Sequence, residues 1–260
     1  MIKAIKSLGQ NFLIDKNIVN KIVNSIDARE DDLIIEIGPG QGSLTKELIS
    51  KNCNLLAFEV DLRMHEFLDG LENDKFHVIY EDILKADLNK VLSNYKYNRL
   101  FVIANLPYYI TTPIIEKLID LDVKIDEMTI MVQDEVADRF SAIPGTKEYG
   151  MMSVILNYKY HIKKLFVVDK KCFNPAPKVQ SAVVNLKLKK DYIKVHKYSE
   201  FKNFIAKSFS HKRKTLKNNL GNEVFNKITD ILYDYNLNLN VRAEEIPVNA
   251  YIDICNKLYK

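Results

Sequence analysis

Apolar residues fall in two rhythms along this chain. Up to about residue 141, short unbroken runs alternate with stretches that repeat every three or four residues. The runs are Leu33-Ile34-Ile35-Glu36-Ile37, Asn54 to Val60, Phe76 to Tyr80, Leu100 to Ala104 and Asp126 to Val132, and they read as buried strands. Helices are predicted after Asp15 (with Ile18, Val19, Ile22, Val23 and Ile26 on one face), from about Ser43, over Thr111 to Leu121 and over Gln133 to Ser141. Such alternation implies an α/β fold with a doubly wound parallel sheet. Tyr149 to Tyr158 reads as a helix, and strands at His161 to Val168 and Ser181 to Leu188 are added at one edge. After about 191 the rhythm is purely helical, which predicts a small C-terminal helical domain over residues 193–260 behind a larger domain over residues 1–192.

Polar residues sit where these strands end, and open α/β sheets bind ligands there. The fourth run closes in Asn105-Leu106-Pro107-Tyr108. Asn105 offers an amide oxygen. Pro107 forces Leu106 into an extended conformation and so holds its carbonyl in place. Tyr108 offers a flat face. Together they suit a planar base with an exocyclic amine. Alone, the stretch reads equally well as a strand end turned by a proline beside a core tyrosine. Glu36, odd within the first apolar run, could accept from the loop amides or from a ligand's ammonium group, and the alternate glycines Gly38, Gly40 and Gly42 follow that run in a pattern that is neither a dinucleotide fingerprint nor a P-loop. Glu59 ends the second strand, where an acid can hold both hydroxyls of a ribose. Asp82 can accept from an adenine amine, with Ile83 against the ring. Asn11 and the backbone at Leu13 lie on an N-terminal arm within reach of a ligand.

A ribose, an adenine, a carboxylate and an ammonium without a phosphate cradle describe S-adenosylmethionine better than NAD or ATP. Methyl transfer to an amine mainly needs alignment and two acceptors where positive charge develops. Asn105 and the Leu106 carbonyl are those acceptors in this reading. Tyr108 stacks the base, and Phe173 on the proline-set loop 173–177 closes its other face.

Charge adds a partner. The chain carries a net +4, yet residues 159–217 hold seventeen Lys and Arg against Asp169, Asp191 and Glu200. That is either a polyanion-binding face or a solvated lysine-rich surface. Its densest part, with Lys212, Arg213, Lys214 and Lys217, is the expected RNA contact. Cys53, Cys172 and Cys255 are too far apart for a metal site and fit a reducing cytoplasm. The absence of a long apolar run or signal-like start predicts a cytoplasmic protein with no membrane and no metal.

These stretches carry a resemblance. Gly9-Gln10-Asn11-Phe12-Leu13, Glu36-Ile37-Gly38-Pro39-Gly40, Phe58-Glu59-Val60-Asp61, Glu81-Asp82-Ile83-Leu84, Ala104 to Tyr108 and Phe173 to Ser181 resemble the rRNA adenine N6-dimethyltransferases, the group of the KsgA, Dim and Erm enzymes. Met131-Val132-Gln133, Pro144 to Gly150 and Lys212 to Leu220 are similar to its bacterial small-subunit members. The resemblance implies a Rossmann-like class I methyltransferase sheet. It implies S-adenosylmethionine contacts at Asn11, Leu13, Gly38, Glu59, Asp82 and Asn105. It further implies dimethylation of two adjacent adenosines near the 3′ end of 16S rRNA in a pre-30S particle, by a protein expected to be a monomer. The alternatives are an Erm-type enzyme acting on 23S rRNA and a non-catalytic rRNA-binding assembly factor.

Overall fold

The apolar runs do form the strands of one sheet, and the inner ones at residues 33–37, 54–58, 100–105 and 127–133 are buried on both faces. The computed structural model describes residues 2–260. In chain order the strands are β1 Phe12–Leu13, β2 Leu33–Ile37, β3 Asn54–Phe58, β4 Phe76–Ile79, β5 Leu100–Asn105, β6 Glu127–Gln133, β7 Tyr160–Val168, β8 Phe173–Asn174 and β9 Ser181–Leu188. Seven of them make a sheet of order β4-β3-β2-β5-β6-β9-β7. β4, β3, β2, β5 and β6 run parallel, and β9 pairs antiparallel with β6. The chain winds outward from β2 to β4, then returns to β5 on the other side. The crevice of such a sheet lies where the order reverses, between β2 and β5. Their register sets Ile37 opposite Ala104, so Asn105 ends its strand beside Gly38.

Strand β3 stops at Phe58, two residues short of expectation. The Glu59 carboxylate accepts from the main-chain N–H groups of Val60 and Asp61, both at 2.9 Å, and turns the chain out of the sheet. The helix capped by Asp15 runs over Lys16–Val23, with the Asp15 side chain accepting from Asn17 and Ile18.

The pairing of β1 with β8 has no counterpart in the sequence reading, which treats these residues as an arm and a loop. Phe12 lies opposite Asn174 and Leu13 opposite Phe173. Two residues are too short a run to carry a period-2 signal.

The chain divides into two compact units. The first takes residues to Ala137 and Lys163–Leu188, and the second Asp138–Ile162 and Lys189–Lys260. Residues 138–162 thus group with the C-terminal helices, a division that differs from the expected boundary at 192/193. Long-range bonds within the second unit explain this. The buried Tyr149 hydroxyl donates to the Ile246 carbonyl at 3.1 Å, and the Gly145 N–H donates to the Glu244 carbonyl at 2.7 Å. Around Tyr149, Phe201, Phe204, Ile205, Leu232 and Tyr251 form an apolar interior. Among the described residues no helix is long and apolar enough to cross a membrane.

Candidate active site

Asn105 is the last residue of β5 and half-buried. Its Nδ2 donates to the main-chain carbonyl of Asn11 at 3.0 Å. Carbonyl oxygens only accept, so this bond assigns the amide nitrogen and leaves Oδ1 as an acceptor. The Leu106 N–H donates to the Met131 carbonyl at 3.1 Å, which extends the β5–β6 pairing and fixes the backbone before Pro107. Tyr108 shares a 2.6 Å hydrogen bond with Ser181 Oγ, the first residue of β9, so its ring is held at both ends.

These four residues line a cavity of about 950 Å³ including its open mouth. Asn11, Leu13, Gly38, Gly40, Glu59, Asp82 and Ile83 line it as well, so most of the expected cofactor set is brought together. Gly40 must be glycine twice over. Its φ is +54°, and a Cβ there would meet the Phe12 ring at 3.0 Å. Glu59 is 5% exposed, and its Oε2 accepts from the Gly40 N–H at 2.9 Å. Burial pushes its carboxyl upward while its three main-chain donors pull the other way. Asp82 Oδ1 accepts from the Leu84 N–H at 2.9 Å and stiffens the loop beyond β4.

The N-terminal arm is clamped over this cavity. Gln10 Nε2 donates to Asp61 Oδ2 at 2.7 Å, and Arg63 donates to both oxygens of Asp61 and to the Lys3 carbonyl. The Arg63 guanidinium, with help from Gln10, draws the Asp61 carboxyl down to about 2.

Two expected site residues do not join the cavity wall. Phe173 is 4% exposed and buried in an apolar cluster with Leu13, because β8 pairs it face to face with that residue. It lies outside the cavity lining in this structure. Glu36 is 1% exposed on a strand buried on both sides, and neither carboxylate oxygen has a hydrogen-bond partner. Burial pushes it up to about 8. Thr45 lies close enough to favour the carboxylate, but its own hydroxyl also closes no hydrogen bond. Glu36 thus sits beneath the glycine loop as a largely protonated acid at neutral pH, not as a ligand-facing anion.

In the second unit Lys212, Arg213 and Lys214 occupy the turn between helices Tyr198–Ser208 and Leu216–Leu220, and Lys217 lies in the first turn of the second helix. All four are exposed, and Lys212 Nζ donates to the Lys147 carbonyl.

A family model described as ribosomal RNA adenine dimethylase matches residues 1–260. The chain belongs to that family. A relative named ribosomal RNA small subunit methyltransferase A, from Mycoplasma capricolum, is 38% identical over 261 residues, covering 99% of this chain and 98% of the relative. Two solved structures share the fold. A dimethyladenosine transferase from Plasmodium falciparum superposes with a TM-score of 0.78 at 24% identity, covering 94% of this chain and 95% of that one. The 23S rRNA methyltransferase ErmE superposes with a TM-score of 0.72 at 21% identity, covering 96% and 100%.

For a ribosomal RNA adenine dimethylase, two further residues stand out that the sequence motifs do not single out. Gln41 lines the cavity, and its Nε2 is buried without a partner. A donor in that state fits an acceptor on a ligand. Lys117, on the helix that follows the Asn105 motif, donates to the carbonyls of Leu84 at 2.9 Å and Ala86 at 2.6 Å. It ties down the loop that carries Asp82 and Ile83. Neither role has a motif; both depend on which loops the fold brings together.

Proposed function

We propose that this chain transfers methyl groups from S-adenosylmethionine to the N6 amines of two adjacent adenosines in the 3′-terminal helix loop of 16S rRNA, during biogenesis of the small subunit. Family membership sets the reaction class, and the relatives named for the small subunit favour that substrate. One observation carries the mechanism: the Asn105 amide is pinned through Nδ2, so its Oδ1 is a fixed acceptor in the cavity wall.

The residues present fit the cofactor. Glu59 keeps one acceptor site on Oε2 for a ribose hydroxyl, Asp82 and Ile83 suit an adenine, and the unpaired amide end of Gln41 suits a carboxylate. When bound, S-adenosylmethionine supplies a methyl group on a positively charged sulfur. The chain supplies alignment. Asn105 Oδ1 and the Leu106 carbonyl accept from the adenine N6 amine and stabilise the charge it gains as it is methylated. Neither acceptor carries charge, so neither takes the proton permanently. It passes to solvent once the amine is alkylated. Tyr108 stacks the extracted base and is steadied by Ser181. Extraction from the RNA stack costs a few kcal/mol, and ring stacking offsets part of it. Exposed Lys212, Arg213, Lys214 and Lys217 hold RNA phosphates.

The test is methyl transfer from labelled cofactor to purified subunits, followed by mass spectrometry of the RNA. Dimethyladenosine in small-subunit RNA is expected. Label in large-subunit RNA, or RNA binding without transfer, would reject the reading.

A further inference from the structure

Two tyrosines follow Pro107, and the structure treats them differently. Tyr108 lines the cavity and is tied to Ser181. Tyr109, in the same short turn over Tyr108–Ile110, is 59% exposed. Its ring lies across Gly9 of the N-terminal arm. A Cβ built on Gly9 would meet Cδ1 and Cε1 of Tyr109 at 3.1 Å, and Gly9 holds a φ of +61°. The glycine lets the arm lie close against one side of the ring. Much of the rest remains open to solvent at the edge of the motif that holds the reacting amine. Contact with Gly9 on one side fixes the plane of the ring and leaves its other side available to a flat partner.

We propose that Tyr109 is a stacking platform for the nucleobase next to the extracted adenine. The inference rests on the methyl-transfer reading above. Lifting one adenine from a single-stranded loop leaves its neighbour with a bare face. A flat ring next to the site restores that contact, and it does so for any base because every base has a π-face. With two adjacent adenines as substrate, the base that waits outside the cavity lies on Tyr109 while the other reacts in front of Asn105. The side chain contributes to binding the RNA and leaves the cofactor and the chemical step untouched. If instead Tyr109 served only to hold the arm, its loss would free Gly9 and then Asn11, which accepts from Asn105, and cofactor affinity would fall.

Three variants separate these roles: Tyr109→Phe keeps the flat ring, Tyr109→Leu keeps apolar bulk against Gly9 without the ring, and Tyr109→Ala removes both. Each is assayed with purified unmodified small subunits, and cofactor affinity is measured by calorimetry. Tyr109→Leu and Tyr109→Ala are expected to raise KM for the subunit about tenfold, a size in keeping with the loss of one base stack. Cofactor Kd should stay within about twofold and Tyr109→Phe close to wild type. An unchanged KM in Tyr109→Leu would overturn the platform, as would a loss of cofactor affinity parallel to the loss of RNA affinity. A wild-type protein that methylates no small-subunit RNA would instead reject the underlying reading, and the platform with it.

Discussion

Asn105 and Asn11 meet across the mouth of the cavity, the amide nitrogen of one donating to the main-chain oxygen of the other at 3.0 Å. The bond joins the end of β5 to the N-terminal arm. It orients the acceptor before any substrate arrives, which is the kind of preorganisation that lowers a barrier without reorganisation at the moment of reaction.

Asn105→Ala is therefore expected to lower kcat by about 10²–10³-fold, the usual loss when one preorganised polar contact to developing charge is removed. Affinity for RNA should change little, because the basic turn lies in the other unit. Methyl transfer from labelled cofactor and filter binding of subunits check the two halves. Turnover near the wild-type rate would exclude Asn105 from the reaction.

Glu36 makes stability depend on pH. Its folded pKa of about 8 stands above the ordinary 4.5, so the folded state binds the extra proton between those values. Stability then falls as pH rises through that window. Glu36→Gln replaces the acid by a neutral group of the same shape and should remove this dependence. Measured as Tm from pH 5 to pH 8.5, the advantage of the variant over wild type should grow with pH. A constant offset would mean that Glu36 is ionised in the folded protein throughout.

Lys117→Met keeps most of the apolar stem and removes two hydrogen bonds to the loop bearing Asp82 and Ile83. Cofactor KM should rise roughly 5–10-fold, as expected for charge-assisted bonds of about 1.5 kcal/mol, with kcat little changed. Lys117→Arg should restore part of the affinity. A fall in kcat alone would contradict a role in holding the adenine loop.

Neutralising Lys212, Arg213 and Lys214 together should flatten the salt dependence of RNA binding. If each neutralises one phosphate, the slope of log K against log salt should fall by about 2–3. The same slope in the triple variant would place the phosphate contacts elsewhere.

The sheet was legible because its inner strands are almost wholly apolar and the helices keep one apolar face. The polar residues at strand ends were legible too, since a buried sheet leaves few other places for Asn105, Glu59 and Asp82. What escaped was pairing at long range. Phe173 reads as an exposed aromatic on a rigid loop, yet a partner more than half the chain away draws it inward. Glu36 reads as a ligand for the same reason that Glu59 does, a carboxylate at the end of a strand. Side-chain alternation along the strand sends the first beneath the loop, and the turn beyond the strand presents the second to the cavity. The domain division differs at residues 138–162, where Tyr149 chooses a partner near the C-terminus.

The β1–β8 pair also orders events during synthesis. Leu13 emerges early from the ribosome but cannot take its place until Phe173 has followed it. The arm that carries Asn11 can meet Asp61, Arg63 and Asn105 much earlier, so its latch closes in two stages. A nascent chain cut short before Phe173 would hold its arm by those side-chain bonds alone, with no strand laid against Leu13.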